Sequence, residues 1–240
     1  MNSEGIRINK YLAEAGICSR RGADDLVASG KVKINGVVAT NGVKVCEGDE
    51  VVVNGKRIKG LDAKVYLAFY KPKGIVCTAN TEEENNLQEY IDYPVRVTYC
   101  GRLDQDSEGL LLLSNDGDFM QKLMKGANGH EREYLVRVEK PLTDEFIASL
   151  ESGVYLDELR VKTRPCKVRK ISDVTFTIVL TQGLNRQIRR MCRAHDYHVR
   201  FLKRVRIENI QLGDMEAGSY RELTEAEIRE LKARVNGKQK

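Results

Sequence analysis

The sequence has 240 residues, of which 41% are hydrophobic and 31% charged, and a formal net charge of +5; this is enough chain for a sizeable core and for two domains. It has no apolar run of the length that crosses a bilayer, and residues 1–10 lack the apolar core of a secretion signal, so we expect a cytoplasmic protein without a membrane segment. Its six cysteines are scattered and form no Cys-x-x-Cys pair, which argues against a metal cluster or a disulfide scaffold and favours reduced thiols.

The first part of the chain, up to about residue 60, has the pattern of a small basic module. Ile8 and Leu12 recur at helical spacing, and Ser19 is a candidate N-cap for a second helix. Asn35-Gly36 between short alternating segments is the strongest short signal for a β-hairpin. The predicted order is therefore helix, helix, hairpin.

The basic residues of this module include Lys10, Arg20, Arg21 and Lys33. A basic face can bind the phosphate backbone of a nucleic acid, but solvated helix faces carry the same charges, and charge alone does not separate the two. Residues 8–21 (INKYLAEAGICSRR) and 30–36 (GKVKING) resemble the S4 RNA-binding domain. The resemblance implies an RNA-binding domain over residues 1–60, whose four cations named above contact RNA.

A linker is predicted at residues 61–64, followed by a second domain over residues 65–240. Strands are predicted for 65–70, 133–138, 161–168 and 174–180, and helices for 118–124, 143–150 and 223–235. Strands that alternate with few helices predict an α+β fold, with a mostly antiparallel mixed sheet flanked by helices.

The most informative stretch, residues 99–117, is a carboxylate-rich loop followed by four leucines and a turn. The leucines predict a buried strand, and a loop fixed to a buried strand can hold a side chain such as Asp104 in place. An ordinary acidic surface turn fits the same spacing. Calcium binding is disfavoured, because Asp104, Asp106 and Glu108 begin like an EF-hand loop but its twelfth position is Asn115 instead of a bidentate Glu.

A second informative stretch, residues 186–206, holds eight Arg or Lys and a single acid. A Gly-bearing turn before a helix start would direct arginines such as Arg186 and Arg190 at one anion, although a solvated basic helix has the same composition. If Arg189 points inward it needs a carboxylate partner, and Asp104 is the obvious candidate.

The motifs of the second domain together resemble one known family. They are GRLD at 101–104 with the leucine strand, EYLV at 133–136, QG at 182–183 and RQIRRM at 186–191. With the S4-like module they resemble the RsuA/RluB/RluE/RluF family of rRNA pseudouridine synthases over about residues 6–230. Segments 128–134 and 183–187 are similar to the RluF type, which acts on large-subunit (23S) rRNA.

The resemblance implies roles for individual residues. Asp104 matches the essential aspartate, Tyr134 the tyrosine that stacks on the target base, and Arg189 the arginine that pairs with the catalytic carboxylate. Arg102 matches the basic residue that fills the space left by the flipped nucleotide. An ionised carboxylate can act as a nucleophile or as a base at the ribose, and both alternatives stay open.

The implied reaction breaks the N1–C1′ bond of uridine and rejoins the base through C5, which requires no metal and no cofactor. We expect a monomer that acts on 23S rRNA or on a large-subunit assembly intermediate. The alternative is a non-catalytic, ribosome-associated RNA-binding protein. An enzyme that uses a carboxylate pair on carbohydrate is disfavoured, because the chain contains no Trp to serve as a sugar platform.

Overall fold

The computed structural model describes residues 5–78, 83–125 and 129–237. Asn128 of the RluF-type motif, and the ends of the two predicted domains at 1–4 and 238–240, lie outside these residues. The chain divides into two compact units. The N-terminal unit comprises residues up to 65 with 93–97 and 115–117, and the C-terminal unit comprises the remainder.

Within the described residues, no helix combines the length and the apolar character needed to cross a membrane.

The N-terminal unit packs two helices against short strands around one apolar core. Its elements are β1 (Ile6–Arg7), α1 (Ile8–Glu14), α2 (Arg20–Ala28), β2 (Val32–Ile34), β3 (Val37–Val38), β4 (Lys44–Val45), β5 (Val51–Val53) and β6 (Lys56–Arg57). The Oγ of Ser19 accepts a hydrogen bond from Gly22 N at 3.0 Å and caps α2. Asn35 and Gly36, at φ 51° and 82°, form the left-handed turn between β2 and β3. The predicted order of helix, helix and hairpin is confirmed.

The C-terminal unit is built on a nine-stranded sheet. Its elements are β7 (Tyr66–Lys71), β8 (Thr98–Cys100), β9 (Glu108–Ser114), α3 (Gly117–Met124), β10 (Arg132–Val138), α4 (Asp144–Ser152), β11 (Tyr155–Leu156), β12 (Val161–Lys162), β13 (Lys167–Ser172), β14 (Thr175–Leu180), α5 (Gln187–Arg193), β15 (Val199–Ile207), β16 (Ile210–Gln211), β17 (Tyr220–Glu222) and α6 (Glu225–Gly237). The strand order is β13-β14-β10-β15-β9-β7-β17, with β8 on β9 and β16 on β15. Only the β9–β15 pair is parallel among the described strands, so the predicted α+β class with a mostly antiparallel mixed sheet is confirmed.

The single strand predicted for residues 161–168 is wrong. The structure has β12, a break, and then the start of β13. In the break, Thr163 N donates to Val154 O at 2.9 Å and Cys166 N donates to Glu151 O at 3.0 Å. Pro165 between them has no N–H to offer a sheet ladder, so the chain leaves the sheet at this point.

Two apolar cores lie on opposite faces of the sheet. One joins α4 and α5 to β10, β14 and β15, and the other joins α3 and α6 to β7 and β9. Because successive residues of a strand face opposite sides, Leu110 and Leu112 contact the α3–α6 core while Leu111 and Leu113 face the other side. All four are buried, which confirms the predicted buried strand.

Candidate active site

The candidate site begins with the loop that joins β8 to β9, residues 101–107. Leu103 and Ser107 are buried, and Ser107 N donates to Asp104 O at 3.1 Å. These contacts hold the loop while the side chains of Asp104 and Asp106 remain 34% and 40% exposed. The loop therefore presents two carboxylates at a fixed position next to solvent.

The start of α5 faces this loop. Ile188 and Met191 are buried in the core and fix the helix, while Arg186 precedes it at a left-handed φ of 49°. Arg186 Nη1 and Nη2 donate to Asp106 Oδ1 and Oδ2 at 3.2 and 2.7 Å. Nη1 also lies 3.6 Å from Asp104 Oδ2. One guanidinium thus contacts both carboxylates.

Arg189 lies one helical turn further along and contacts the base of the loop. Its Nη2 donates to Asp106 O at 3.0 Å and to Ser107 Oγ at 3.2 Å, and lies 3.3 Å from Asp106 Oδ1. The structure does not contain the expected direct ion pair between Arg189 and Asp104. Arg186 is the arginine at ion-pair distance from Asp104, because the guanidinium of Arg189 is occupied by Asp106 and Ser107.

The charges of this cluster shift the pKa of its members. Partial burial raises the pKa of Asp106, but the hydrogen bonds from Arg186 and the charges of Arg189 and Arg186 outweigh burial, so its pKa is lowered overall. The hydrogen bond to Asp106 raises the pKa of Arg186. Burial lowers the pKa of Arg189 while Asp106 opposes that shift. The carboxylate of Asp106 is therefore ionised at neutral pH.

Lys71, at the end of β7, is a buried cation that the sequence analysis missed. It is fully buried, and its Nζ donates to Pro72 O and Ser107 O, both at 2.9 Å. Burial lowers its pKa, against the opposing charges of Asp104 and Asp106. A Lys between an apolar strand and a Pro is the signal that the sequence offers for it. In the structure it ties the loop to β7.

Strand register aligns Tyr134 across the sheet with Gly109, which lies two residues after the end of the loop. Tyr134 pairs with Arg204, Arg204 with Gly109, and Gly109 with Lys71 across β10, β15, β9 and β7. Gly109 has φ +112°, and a Cβ there would lie 2.3 Å from Arg204 O, so a side chain cannot fit. Two strand spacings of about 4.8 Å separate Tyr134 from Gly109. Tyr134 is half-buried and packs against the α4–α5 core.

The remaining predicted residues are more dispersed. Arg102 is exposed on the same loop as Asp104. Arg190 points away from the loop carboxylates: its Nε and Nη2 donate to Asn185 O and Oδ1, each at 3.0 Å, and its Nη1 pairs with Glu158. The four cations predicted for RNA docking belong to the N-terminal unit; three are exposed and one is half-buried: Arg20, Arg21, Lys33 and Lys10.

A cleft of ≈ 410 Å³ opens beside the loop and is lined by Lys73, Gly74, Gln105, Asp106 and Arg186. Its cations suit a phosphate group, and Asp106 with its arginines forms one wall. Among the described residues, no group of three or more His, Cys, Asp or Glu is placed to hold a metal ion. The arrangement is a pair of carboxylates beside a cleft that Lys73 and Arg186 line. Arg186 contacts both carboxylates, and Arg189 contacts Asp106.

Comparison with known proteins gives consistent matches for both parts of the chain. The RNA pseudouridylate synthase family model matches residues 65–194, and the S4 domain model matches residues 6–51. The dual-specificity RNA pseudouridine synthase RluF of Escherichia coli O157:H7 is 46% identical over 228 residues, which cover 94% of this chain and 78% of that protein. The ribosomal large subunit pseudouridine synthase B of Bacillus subtilis (strain 168) is 38% identical over 236 residues, covering 95% and 96%. A crystal structure of a pseudouridylate synthase matches with a TM-score of 0.69 and 28% identity, covering 94% of this chain and 99% of that one.

Proposed function

Because the chain belongs to the RNA pseudouridylate synthase family, we propose that it isomerises one uridine of ribosomal RNA, in the 23S RNA of the large subunit, to pseudouridine. The identity to RluF and to a large-subunit synthase supports this substrate. The family resemblance found in the sequence motifs is confirmed by these matches. Pseudouridine synthesis breaks N1–C1′, forms C5–C1′, and moves a proton from C5 to solvent while N1 gains one, so no oxidant or reductant is consumed.

The observation that carries the proposal is the half-buried Asp104 carboxylate beside Arg186, at 3.6 Å, on a loop anchored by buried neighbours. Asp104 acts at the ribose of the target nucleotide, as a nucleophile or as a base. Arg186, at ion-pair distance, orients that carboxylate. Arg189 supports it indirectly, by holding the base of the loop through Asp106 and Ser107.

The target nucleotide reaches Asp104 by leaving its stack. Extrusion costs a few kcal/mol, and least in a loop or another unpaired region. Tyr134 offers an aromatic face, and stacking on it contributes about 1–3 kcal/mol per base. Arg102, exposed two residues before Asp104, fills the space left by the extruded nucleotide. Arg186 and Arg190 contribute further positive charge for the RNA backbone.

We assign RNA docking to residues 1–60 and catalysis to residues 65–240, joined by the linker at 61–64. Lys10, Arg20, Arg21 and Lys33 contact phosphates in this assignment, since they lie on the S4-like helices and the first hairpin strand. The proposed rRNA substrate places the enzyme in the cytoplasm, where it acts as a monomer without a cofactor.

Asp104→Asn tests the proposal. The variant should bind an rRNA fragment with unchanged affinity and fail to release tritium from uridine labelled at C5. Asp173→Asn is the matched control, because it makes the same change at a carboxylate that is 88% exposed in the β13–β14 turn, and it should keep full activity. Full activity of Asp104→Asn would contradict the proposal and favour a non-catalytic RNA-binding protein.

A further inference from the structure

Part of the sheet face that carries the α3–α6 core, over β13, β14, β10 and most of β15, is not covered by either apolar core. In β10, β14 and β15 the residues Val136, Ile178 and Leu202 contact the α4–α5 core, so the alternating residues point to the opposite side. We call this side of β13, β14, β10 and β15 the open face; its outward residues are Lys167, Arg169, Thr175, Thr177, Val179, Glu133, Leu135, Arg137, Phe201 and Lys203. All of them are exposed or half-buried. The open face therefore meets solvent across four strands.

A groove of ≈ 320 Å³ lies on the open face. Its lining combines apolar Leu135, Val205 and Leu212 with polar Gln211 and Lys203 and with the ion pair of Glu133 and Arg206. Apolar side chains with a few polar groups are the usual composition of a small-ligand site. A groove of this volume can admit a single planar base.

The charged residues that line the groove are paired with each other or with neighbours. Glu133 pairs with Arg206 at 2.9 Å, and Lys203 with Glu108 at 3.8 Å. Within residues 129–237, Arg137, Lys167 and Arg169 make no ion pair, and Arg137 lies 5.9 Å from the ring centroid of Phe201.

Strand register fixes the distances of two cations from the groove. Arg169 pairs with Thr177, and Thr177 with Leu135, which places Arg169 about 10 Å from Leu135, while Arg137 is about 7 Å along β10. Two cations without acidic partners therefore flank the groove on different sides.

We propose that the open face binds a single-stranded segment of the substrate RNA that flanks the modified site. One base occupies the groove, Arg137 and Arg169 contact adjoining phosphates, and Phe201 offers a stacking surface. Sheet surfaces with exposed aromatic and basic residues bind single strands by this combination of stacking and charge. The open face lies on the side of the sheet opposite Lys71, Arg204 and Tyr134, so it is distinct from the Asp104 site. This inference rests on the proposed function, because it requires that the substrate is RNA.

The test compares two RNAs on the full chain: a stem-loop containing the target uridine, and the same stem-loop with single-stranded flanks. Arg137→Gln and Arg169→Gln are measured against Arg229→Gln, which removes the same charge from an exposed position on α6. For each open-face variant, the Kd for the flanked RNA should rise about three- to tenfold, and the slope of log affinity against log salt should fall by about 0.7. The Kd and the turnover rate for the bare stem-loop should stay as in the wild type.

Open-face variants that bind the flanked RNA as Arg229→Gln does would overturn the inference. The inference would also be overturned if the open-face variants bound naked flanked RNA as the wild type does but bound ribosomal particles more weakly. That result would indicate a protein partner instead. Failure of the wild type to convert either RNA would refute the proposed function separately, since the affinity ratio of the two RNAs is measured without turnover.

Discussion

Replacing Asp106 with Asn removes the charge that holds both arginines of the active site, without removing the backbone oxygen that Arg189 also contacts. The wild-type carboxylate accepts two hydrogen bonds from Arg186, at 3.2 and 2.7 Å, and lies 3.3 Å from Arg189. A charge-assisted hydrogen bond in a protein contributes about 1.5–3 kcal/mol. Because Asp106 and Arg186 are 40% and 41% exposed, solvent screening reduces the contribution to about 1 kcal/mol.

That loss should appear mainly in kcat. Arg186 is no longer fixed beside Asp104, and about 1 kcal/mol of lost positioning corresponds to about a fivefold lower rate. Tritium release from C5-labelled uridine measures kcat and KM, and we expect KM to change less than twofold, about 0.4 kcal/mol or less. Asp106→Glu restores the charge and should recover part of kcat, whereas Asp173→Asn should match the wild type.

The pH dependence follows from the sign of the pKa shift. The pKa of Asp106 is lowered in the folded protein, so its contribution is present above its unfolded pKa of about 3.9 and is lost as pH falls below that value. The rate difference between the wild type and Asp106→Asn should therefore be constant from pH 6 to 8. An unchanged kcat in Asp106→Asn, or a loss explained entirely by a lower fraction of folded protein, would refute the positioning role.

Two further predictions concern the framework. Gly109→Ala should lower the free energy of unfolding, measured in urea, by more than about 2 kcal/mol, because the added Cβ would lie 2.3 Å from Arg204 O. Gly183→Ala is the control, because its Cβ would have nothing within 4 Å. Equal stability of the two variants would contradict the argument. Glu227→Gln should lower the free energy of unfolding at pH 7 by about 1 kcal/mol, since hydrogen bonds from Arg221 lower the pKa of Glu227 to about 2. The difference should shrink as pH falls from about 4.3 toward 2, and a pH-independent difference would rule out the ionised carboxylate as its source.

Much of the fold was predictable from local patterns. Ser19 caps α2 as predicted, and the four leucines form the predicted buried strand. These features depend on a hydrogen bond between near neighbours or on a continuous apolar run, both of which are visible in the sequence. The strand predicted across Pro165 was wrong, because the apolar pattern continued through a residue that cannot join a ladder.

The sequence predicted the residues of the candidate site better than it predicted the contacts between them. Asp104 and the arginines of α5 were identified from spacing and resemblance, and the structure brings Asp104, Arg186 and Arg189 to one loop. The expected Arg189–Asp104 pair was replaced by Arg186–Asp104, with Asp106 between the two arginines. Which of two carboxylates an arginine contacts depends on differences of about an ångström, which residue spacing cannot resolve.

The sequence by itself determined the elements, their approximate order and the chemical groups available: an acidic loop before a leucine strand, and a basic turn before a helix. Only the tertiary structure decided which groups meet. The parallel pairing of β9 with β15 aligns Gly109 with Arg204, a residue far away in the sequence. Arg204 is also the pairing partner of Tyr134 on β10. Such long-range register is set by packing both faces of the sheet at once, a constraint that no local stretch of sequence contains.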